Sequence, residues 1–383
     1  MASGLKLPPL GLYVHLPWCV QKCPYCDFNS HALRGELPEN DYIDALLRDA
    51  DEQAIAADGR TVETLFIGGG TPSLFSAKAI SRLMQGLAKR LAIAADAEIT
   101  LEANPGAMDV ERFRGFLEAG VNRLSIGVQS FDNQALKRLG RIHDDAQAEH
   151  AIEAAQCAGF SRINVDLMHG LPHQRTADAL ADVDRALSLG IQHLSHYQLT
   201  LEPDTAFFTR PPPLPDDDTV VAIEMACAER IRASGLQRYE ISAWSVPGDE
   251  CRHNLNYWQF GDYLAIGAGA HGKLTTTDGR IIRFSRERMP RRYQALAGTS
   301  AASAQHWEVT RSERVLEYVM NALRLCNGAP LAEALERTGC PLSAFTPGVT
   351  KAREYGWMTD DATRLCPTRK GQQFLNDLLG LFT

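Results

Sequence analysis

The chain contains no apolar run approaching the ~20 residues that a helix needs to cross a bilayer, so a helical membrane span is excluded. Positive charge is also short. Lys and Arg number 39 against 47 Asp and Glu, a net of −8, which leaves no global basic field for nucleic acid. Cysteine is sparse and odd in number, nine in 383 residues, which speaks against a disulfide framework. No Cys-x-x-Cys-His segment is present, nor a Gly-Lys-Ser/Thr phosphate loop. The opening residues do not read as a secretory signal. Cysteines 157, 227, 251, 326, 340 and 366 lie far apart and read as reduced thiols, so the expected compartment is the cytoplasm.

What the chain does have is a crowd of three cysteines: Cys19, Cys23 and Cys26, spaced Cys-x3-Cys-x2-Cys within His15-Leu-Pro-Trp-Cys-Val-Gln-Lys-Cys-Pro-Tyr-Cys-Asp-Phe28. Iron–sulfur clusters are held by thiolates, and a four-iron cube offers four corners. Three thiolates on a short loop hold three irons and leave the fourth open to a ligand that is not protein. A zinc site is the main alternative, with His15 or a distant histidine as fourth ligand, but no second Cys-x2-Cys supplies the usual pair. A thioredoxin-like pair, Cys23-Pro-Tyr-Cys26, would leave Cys19 idle.

After this loop one rhythm repeats: a short β-branched run, a turn, then an amphipathic stretch. Strands are expected at Gly11–His15, Thr64–Gly68, Ile99–Ala103, Arg123–Val128, Arg162–Met168 and Leu194–Thr200, with helices at 39–57, 76–91, 109–118, 144–157 and 176–188. In the second helix Ala79, Leu83, Leu87 and Leu91 recur on one face. Alternating strands and helices imply right-handed βαβ units and a parallel sheet. The expected fold is α/β: a partial (β/α)6 barrel whose site lies at the C-terminal ends of the strands. Arg210-Pro-Pro-Pro-Leu-Pro ends the regular barrel. A helix (219–233) and a strand around Tyr239–Trp244 follow it. Beyond 310 the pattern becomes helical, with Arg311–Leu325, Leu331–Arg337 and Pro347–Tyr355, then a hairpin-like Trp357–Cys366 and a helix Thr368–Leu379. This predicts a small, mainly helical, winged-helix-like accessory domain. The expected division is 1–240 barrel, 241–300 barrel-flanking segment and 301–383 accessory domain.

Polar residues gather where strands end. Gly68-Gly-Gly-Thr71-Pro72 follows the second strand, and its glycines let backbone approach a ligand, although a plain tight turn explains the same letters. Glu102 closes the third strand, Gln129 the fourth, and Asp166 lies in the fifth. Three polar residues in succession on one rim would each be costly to bury without partners. Arg141 is by default a solvated arginine after a helix, unless it faces the same pocket.

Together these features resemble the radical S-adenosylmethionine (SAM) family, over roughly residues 10–270. The resemblance implies that Cys19, Cys23 and Cys26 ligate a [4Fe–4S] cluster whose open iron takes the amino and carboxylate groups of SAM. By position, Tyr13, Gly69, Gly70, Thr71, Glu102, Gln129, Arg141 and Asp166 would cradle SAM. Leu12-Tyr-Val-His-Leu-Pro-Trp-Cys and Arg123-Leu-Ser-Ile-Gly-Val-Gln-Ser-Phe131 are similar to the group of oxygen-independent coproporphyrinogen III oxidase. The chain departs from that oxidase in carrying Phe28 where a fourth cysteine would stand, and only 18 residues precede Cys19. It is closer to the haem-chaperone branch, which carries His-Asn-x-x-Tyr-Trp, here His253-Asn254-Leu-Asn-Tyr257-Trp258. Imidazole is a common haem ligand and the two rings could stack on a porphyrin. Read without the resemblance, this is a loop whose aromatics fasten it to the barrel. Cys251 is a second candidate ligand. The resemblance implies haem as cargo, haem-requiring respiratory proteins as recipients, peripheral contact at the inner membrane and a homodimer. The other reading is radical decarboxylation of coproporphyrinogen III.

Overall fold

Six strands run parallel in chain order: β1 (Leu10–Leu16), β2 (Val62–Gly69), β3 (Ile93–Ala103), β4 (Arg123–Gln129), β5 (Ile163–His169) and β6 (His193–Gln198). The computed structural model describes residues 6–106 and 108–383. Helices α1 (Glu39–Ala57), α2 (Ala77–Ala88), α3 (Val110–Glu118), α4 (Asp145–Ala158) and α5 (Thr176–Ser188) make the crossovers. Ser76, Asp109 and Asp144 cap the starts of α2, α3 and α4 by accepting from backbone N–H groups one turn on. Ala79, Leu83, Leu87 and Leu91 are all buried, as their spacing predicts.

The strands alternate in polarity. Leu101, Leu124, Ile126, Val165, Leu167 and Leu194 join the main core beneath the helices. Their neighbours Glu102, Ser125, Asn164, Asp166 and Ser195 point the other way and line a cavity inside the barrel. Strands of a parallel sheet covered on both faces are usually apolar throughout. Here the inner face is polar, and that makes the barrel interior a site.

The barrel is larger at its edges than the six-strand expectation. After α6 (Asp217–Ala233), the single strand expected near Tyr239–Trp244 is two, β7 (Gln237–Glu240) and β8 (Ala243–Ser245), antiparallel on the β6 edge. Helix α7 (Arg252–Trp258) leads to β9 (Asp262–Ile266), which lies parallel beside β1. From it β10 (His271–Thr275), β11 (Ile281–Arg286) and β12 (Ser303–Glu308) continue antiparallel. The sheet order is β12-β11-β10-β9-β1-β2-β3-β4-β5-β6-β8-β7. Asp262, fully buried, fixes the start of β9: it accepts from Lys273 Nζ at 3.0 Å, Arg60 Nη1 at 2.8 Å and the Thr275 N–H at 2.9 Å.

The C-terminal region packs α8 (Arg311–Ala322), α9 (Leu331–Thr338) and α10 (Leu342–Glu354) around Val315, Tyr318, Val319 and Phe345, with Phe260 and Ile281 joining from the barrel flank. Ala329–Pro330 pairs with Arg364–Leu365 as a short antiparallel wing. Helix α10 begins at Leu342, not at Pro347, which sits inside it. Pro347 is exposed, and so is Ser343 four residues earlier, so the carbonyl left without its N–H partner faces water. No helix among the described residues is long and apolar enough to cross a membrane.

Candidate functional site: a cysteine loop over a polar barrel

The cysteine loop is closed at its base by a two-residue parallel pairing of Trp18–Cys19 with His31–Ala32. Within it the Cys26 N–H donates to Cys23 O at 3.1 Å, a turn that brings the second and third thiols to one side. Asn29 Nδ2 donates to Ala268 O and to Arg288 O, both at 2.9 Å, tying the loop to the β9–β10 and post-β11 segments. His15 is withdrawn from metal chemistry. Its Nε2 meets Asn29 O at 3.0 Å and its Nδ1 meets the Tyr13 hydroxyl at 2.9 Å; burial lowers its pKa to about 4.

Below the loop, the glycine turn seals against β1. Gly70 N–H donates to Leu16 O at 2.8 Å and Thr71 N–H to Trp18 O at 2.7 Å. A Cβ at Gly70 would stand 2.5 Å from Trp18 O, so the close approach admits only glycine there. Gly69 N–H donates to Glu102 Oε2 at 3.1 Å. Burial, with Asp166 nearby, pushes the Glu102 carboxyl up to about 8. Asp166 is also raised by burial, and accepts from Ser125 Oγ at 3.0 Å and Asn164 Nδ2 at 2.8 Å. Gln129 takes a left-handed φ of 72° where the β4–β5 register shifts, and its Oε1 accepts from the Tyr197 hydroxyl at 2.7 Å. A non-glycine residue held there stores about 1–3 kcal/mol of strain, which the surrounding packing must offset. Arg141 is not the solvated arginine of the default reading. Its Nη2 donates to Gly127 O at 2.6 Å, Nη1 lies 3.8 Å from Cys23 Sγ, and Nε is buried without a partner.

One cavity of about 760 Å3 brings these residues together: Tyr13, Cys19, Cys23, Cys26, Gly69, Gly70, Thr71, Glu102, Gln129, Arg141 and Asp166. His253, Asn254, Tyr257 and Trp258 line its far side.

His253 sits at the opposite end of the barrel from the cysteines, beside Gly11 and Thr64 near the N-terminal ends of β1 and β2. It is fully buried, with Nδ1 at 2.9 Å from Thr64 Oγ1 and Nε2 at 2.8 Å from the Tyr257 hydroxyl. As placed, neither ring nitrogen is free for iron. Cys251 is likewise buried, and its thiol donates to Glu98 at 3.5 Å. Glu98 organises this end. It accepts from the N–H groups of Arg252 and His253 at 3.1 and 3.0 Å, fixing the start of α7, and pairs with Arg162 at 2.8 Å. Sequence reasoning missed Glu98, Asn164 and Ser195. The available signal was period two: Glu98 precedes Thr100 and Glu102 on one face of β3, and Asn164 precedes Asp166 on β5.

Residues 13–186 match the radical SAM superfamily model and residues 309–374 the HemN C-terminal domain. Over 378 residues the chain is 50% identical to a protein of Escherichia coli (strain K12) named Heme chaperone HemW, covering 99% of both. Proteins of the same name in Haemophilus influenzae and Bacillus subtilis are 47% and 32% identical, with 98% and 97% of this chain covered and 98% of each relative. The solved structure of the E. coli radical SAM enzyme coproporphyrinogen III oxidase (HemN) superposes with a TM-score of 0.83 at 23% identity, covering 98% of this chain and 90% of that one.

The superfamily's cofactors are a [4Fe–4S] cluster and SAM, and the donor set fits them. Three free thiols face one cavity, and no other protein group bonds all of them. Among the described residues no three His, Cys, Asp or Glu side chains converge as a site for a single metal ion. A cube instead takes each thiolate at a different iron. Glu102 and Asp166, half-buried and close enough to interact, suit a cationic or hydroxyl-bearing ligand, and the unpartnered Arg141 Nε suits an anionic one. The chain belongs to the radical SAM superfamily and, within it, to the HemW family.

Proposed function

We propose that the protein binds haem and passes it to haem-requiring respiratory proteins, with a [4Fe–4S] cluster and SAM held in the adjoining chamber. Full-length identity of 50% to a protein named Heme chaperone HemW supports this reading. The observation that carries it is a second cavity of about 610 Å3 that shares Tyr13, Glu102, Tyr257 and Trp258 with the cofactor chamber. Its volume falls in the ~300–1,000 Å3 range of ligand pockets.

In this reading Cys19, Cys23 and Cys26 hold the cluster, which when bound supplies an iron corner open to SAM. Tyr13, Gly69, Gly70, Thr71, Glu102, Gln129, Arg141 and Asp166 orient SAM and keep water from it. Asn254, Tyr257 and Trp258 belong to the haem side, and His253 acts there by holding Tyr257 in place. Residues 1–240 form the cofactor barrel, 241–300 its haem-facing flank and 301–383 the accessory domain. The working place is the cytoplasm, with peripheral contact at the inner membrane and a homodimer as the assembly.

Anaerobically prepared protein should take up haem stoichiometrically and convert no coproporphyrinogen III. Appearance of protoporphyrinogen would move the protein to the oxidase class.

A further inference from the structure

We infer that haem sits in the second cavity, with His271 as an axial ligand of its iron and Arg288 binding a propionate. This inference rests on the haem-binding reading above.

The two chambers differ in charge. The cofactor chamber sets five acidic side chains, Glu202 and Glu240 among them, against Arg123, Arg141 and Arg324, an excess that suits the carboxylates of haem poorly. The second reverses the balance, with Lys273, Arg283 and Arg288 against Asp27 and the shared Glu102. Two of these cations are already committed. Lys273 Nζ pairs with Asp262 at 3.0 Å, and Arg283 Nη2 with Glu317 at 2.7 Å while its Nη1 donates to the Tyr263 hydroxyl. Among the described residues Arg288 makes no salt bridge and its side chain no hydrogen bond, so its guanidinium remains for an anion from outside the chain.

The same contrast singles out His271. Among the described residues its imidazole makes no hydrogen bond, whereas both nitrogens of His253 are taken. His271 opens β10, pairs in register with Ser285 of β11, and so stands at the same end of this strand pair as Arg288, two residues beyond β11. The rings of Tyr257 and Trp258 line the same cavity. Trp258 is held by Arg324, whose guanidinium carbon lies 4.2 Å from the ring centroid, and its Nε1 is buried without a partner. A flat ring system bearing carboxylates and a metal satisfies all four groups at once. The cysteine loop reaches this site directly, because Asn29 Nδ2 bonds the backbone of Arg288.

The test is titration of ferric haem into anaerobically prepared full-length protein, followed by Soret absorbance and low-temperature electron paramagnetic resonance. Wild-type protein is compared with His271→Ala, His253→Ala, Arg288→Gln and Arg283→Gln. His271→Ala should lose the imidazole-ligated spectrum, and added imidazole should restore it; a misfolded variant would not be rescued. Arg288→Gln should weaken haem about tenfold but leave haem dimethyl ester unchanged, since esterification removes the charge that Arg288 pairs with. An unchanged spectrum in His271→Ala, or its loss in His253→Ala alone, would overturn the assignment while leaving haem binding intact. Equal weakening of haem and its ester by Arg288→Gln would refute the propionate contact. Wild-type protein that takes up no haem would sink the haem-binding reading itself.

Discussion

The two ends of the barrel treat their reactive side chains in opposite ways. At the C-terminal mouth bonding capacity is left over among the described residues: three free thiols, an Arg141 Nε with no partner, and a Glu102 carboxyl group that accepts one backbone N–H. At the N-terminal end, among the described residues, the acid, thiol and imidazole around the start of α7 are all spent on protein partners. Glu98 accepts from two N–H groups, a thiol and a guanidinium, while His253 spends both nitrogens on Thr64 and Tyr257. Histidine and cysteine occur at both ends, so residue type does not separate ligand from scaffold. Unspent hydrogen-bonding or coordinating capacity does, because a buried polar group without a partner is costly to keep unless a ligand completes it.

The sharpest way to break this contrast is to remove one group from each end. Cys23→Ala should abolish cluster iron and sulfide entirely in anaerobically reconstituted protein. Its urea midpoint, measured without cluster, should stay within about 0.5 kcal/mol of wild type, since the thiol supports little of the fold. Glu98→Ala should do the reverse. Removing one partner from a buried ion pair costs about 3 kcal/mol, and the start of α7 loses its acceptor. Arg162 keeps Asp249 at 2.5 Å, so the loss stops short of unfolding. Iron content should be unchanged. A Glu98 variant of normal stability that fails to assemble the cluster would erase the distinction between the two ends.

His253→Ala should come next in size. Two hydrogen bonds vanish and the Thr64 and Tyr257 hydroxyls lose a partner, a cost of about 2 kcal/mol in urea unfolding. Iron and sulfide should be retained.

The six parallel strands and five crossover helices were legible because each is a local pattern: an apolar outer face with a fixed period, punctuated by a turn or a capping residue such as Ser76 or Asp144. The place of β9 was not. Asp262 reads as an isolated acid in sequence, and only its contact with Arg60, 202 residues away, reveals that the strand it opens lies beside β1. The same limit applied to the site. The cysteines and the glycine turn are contiguous motifs and could be read directly. The saturation of His253 depends on Thr64, 189 residues away, and the unpartnered state of His271 on what fails to reach it. Such facts belong to three-dimensional neighbourhoods, which no local spacing encodes.

The smallest expected effect per step is a slope with pH, at most about 1.4 kcal/mol per pH unit. The folded chain holds the Glu102 proton up to about 8, whereas the unfolded chain releases it near the ordinary 4.5. Between these values the folded state binds more protons, so this group makes stability fall as pH rises. Buried His15 and His143, lowered to about 4 mainly by desolvation, act in the opposite sense below the ordinary 6.5, since there the unfolded chain takes up more protons. Wild type and Glu102→Gln share those histidines. Subtracting their urea stabilities, measured on cluster-free protein, therefore isolates the carboxyl. The difference, wild type minus variant, should decline steadily over that window and level off above it. A flat difference would mean that Glu102 is ionised at neutral pH with a compensating partner, and the surplus capacity ascribed to the mouth of the barrel would then be one group smaller.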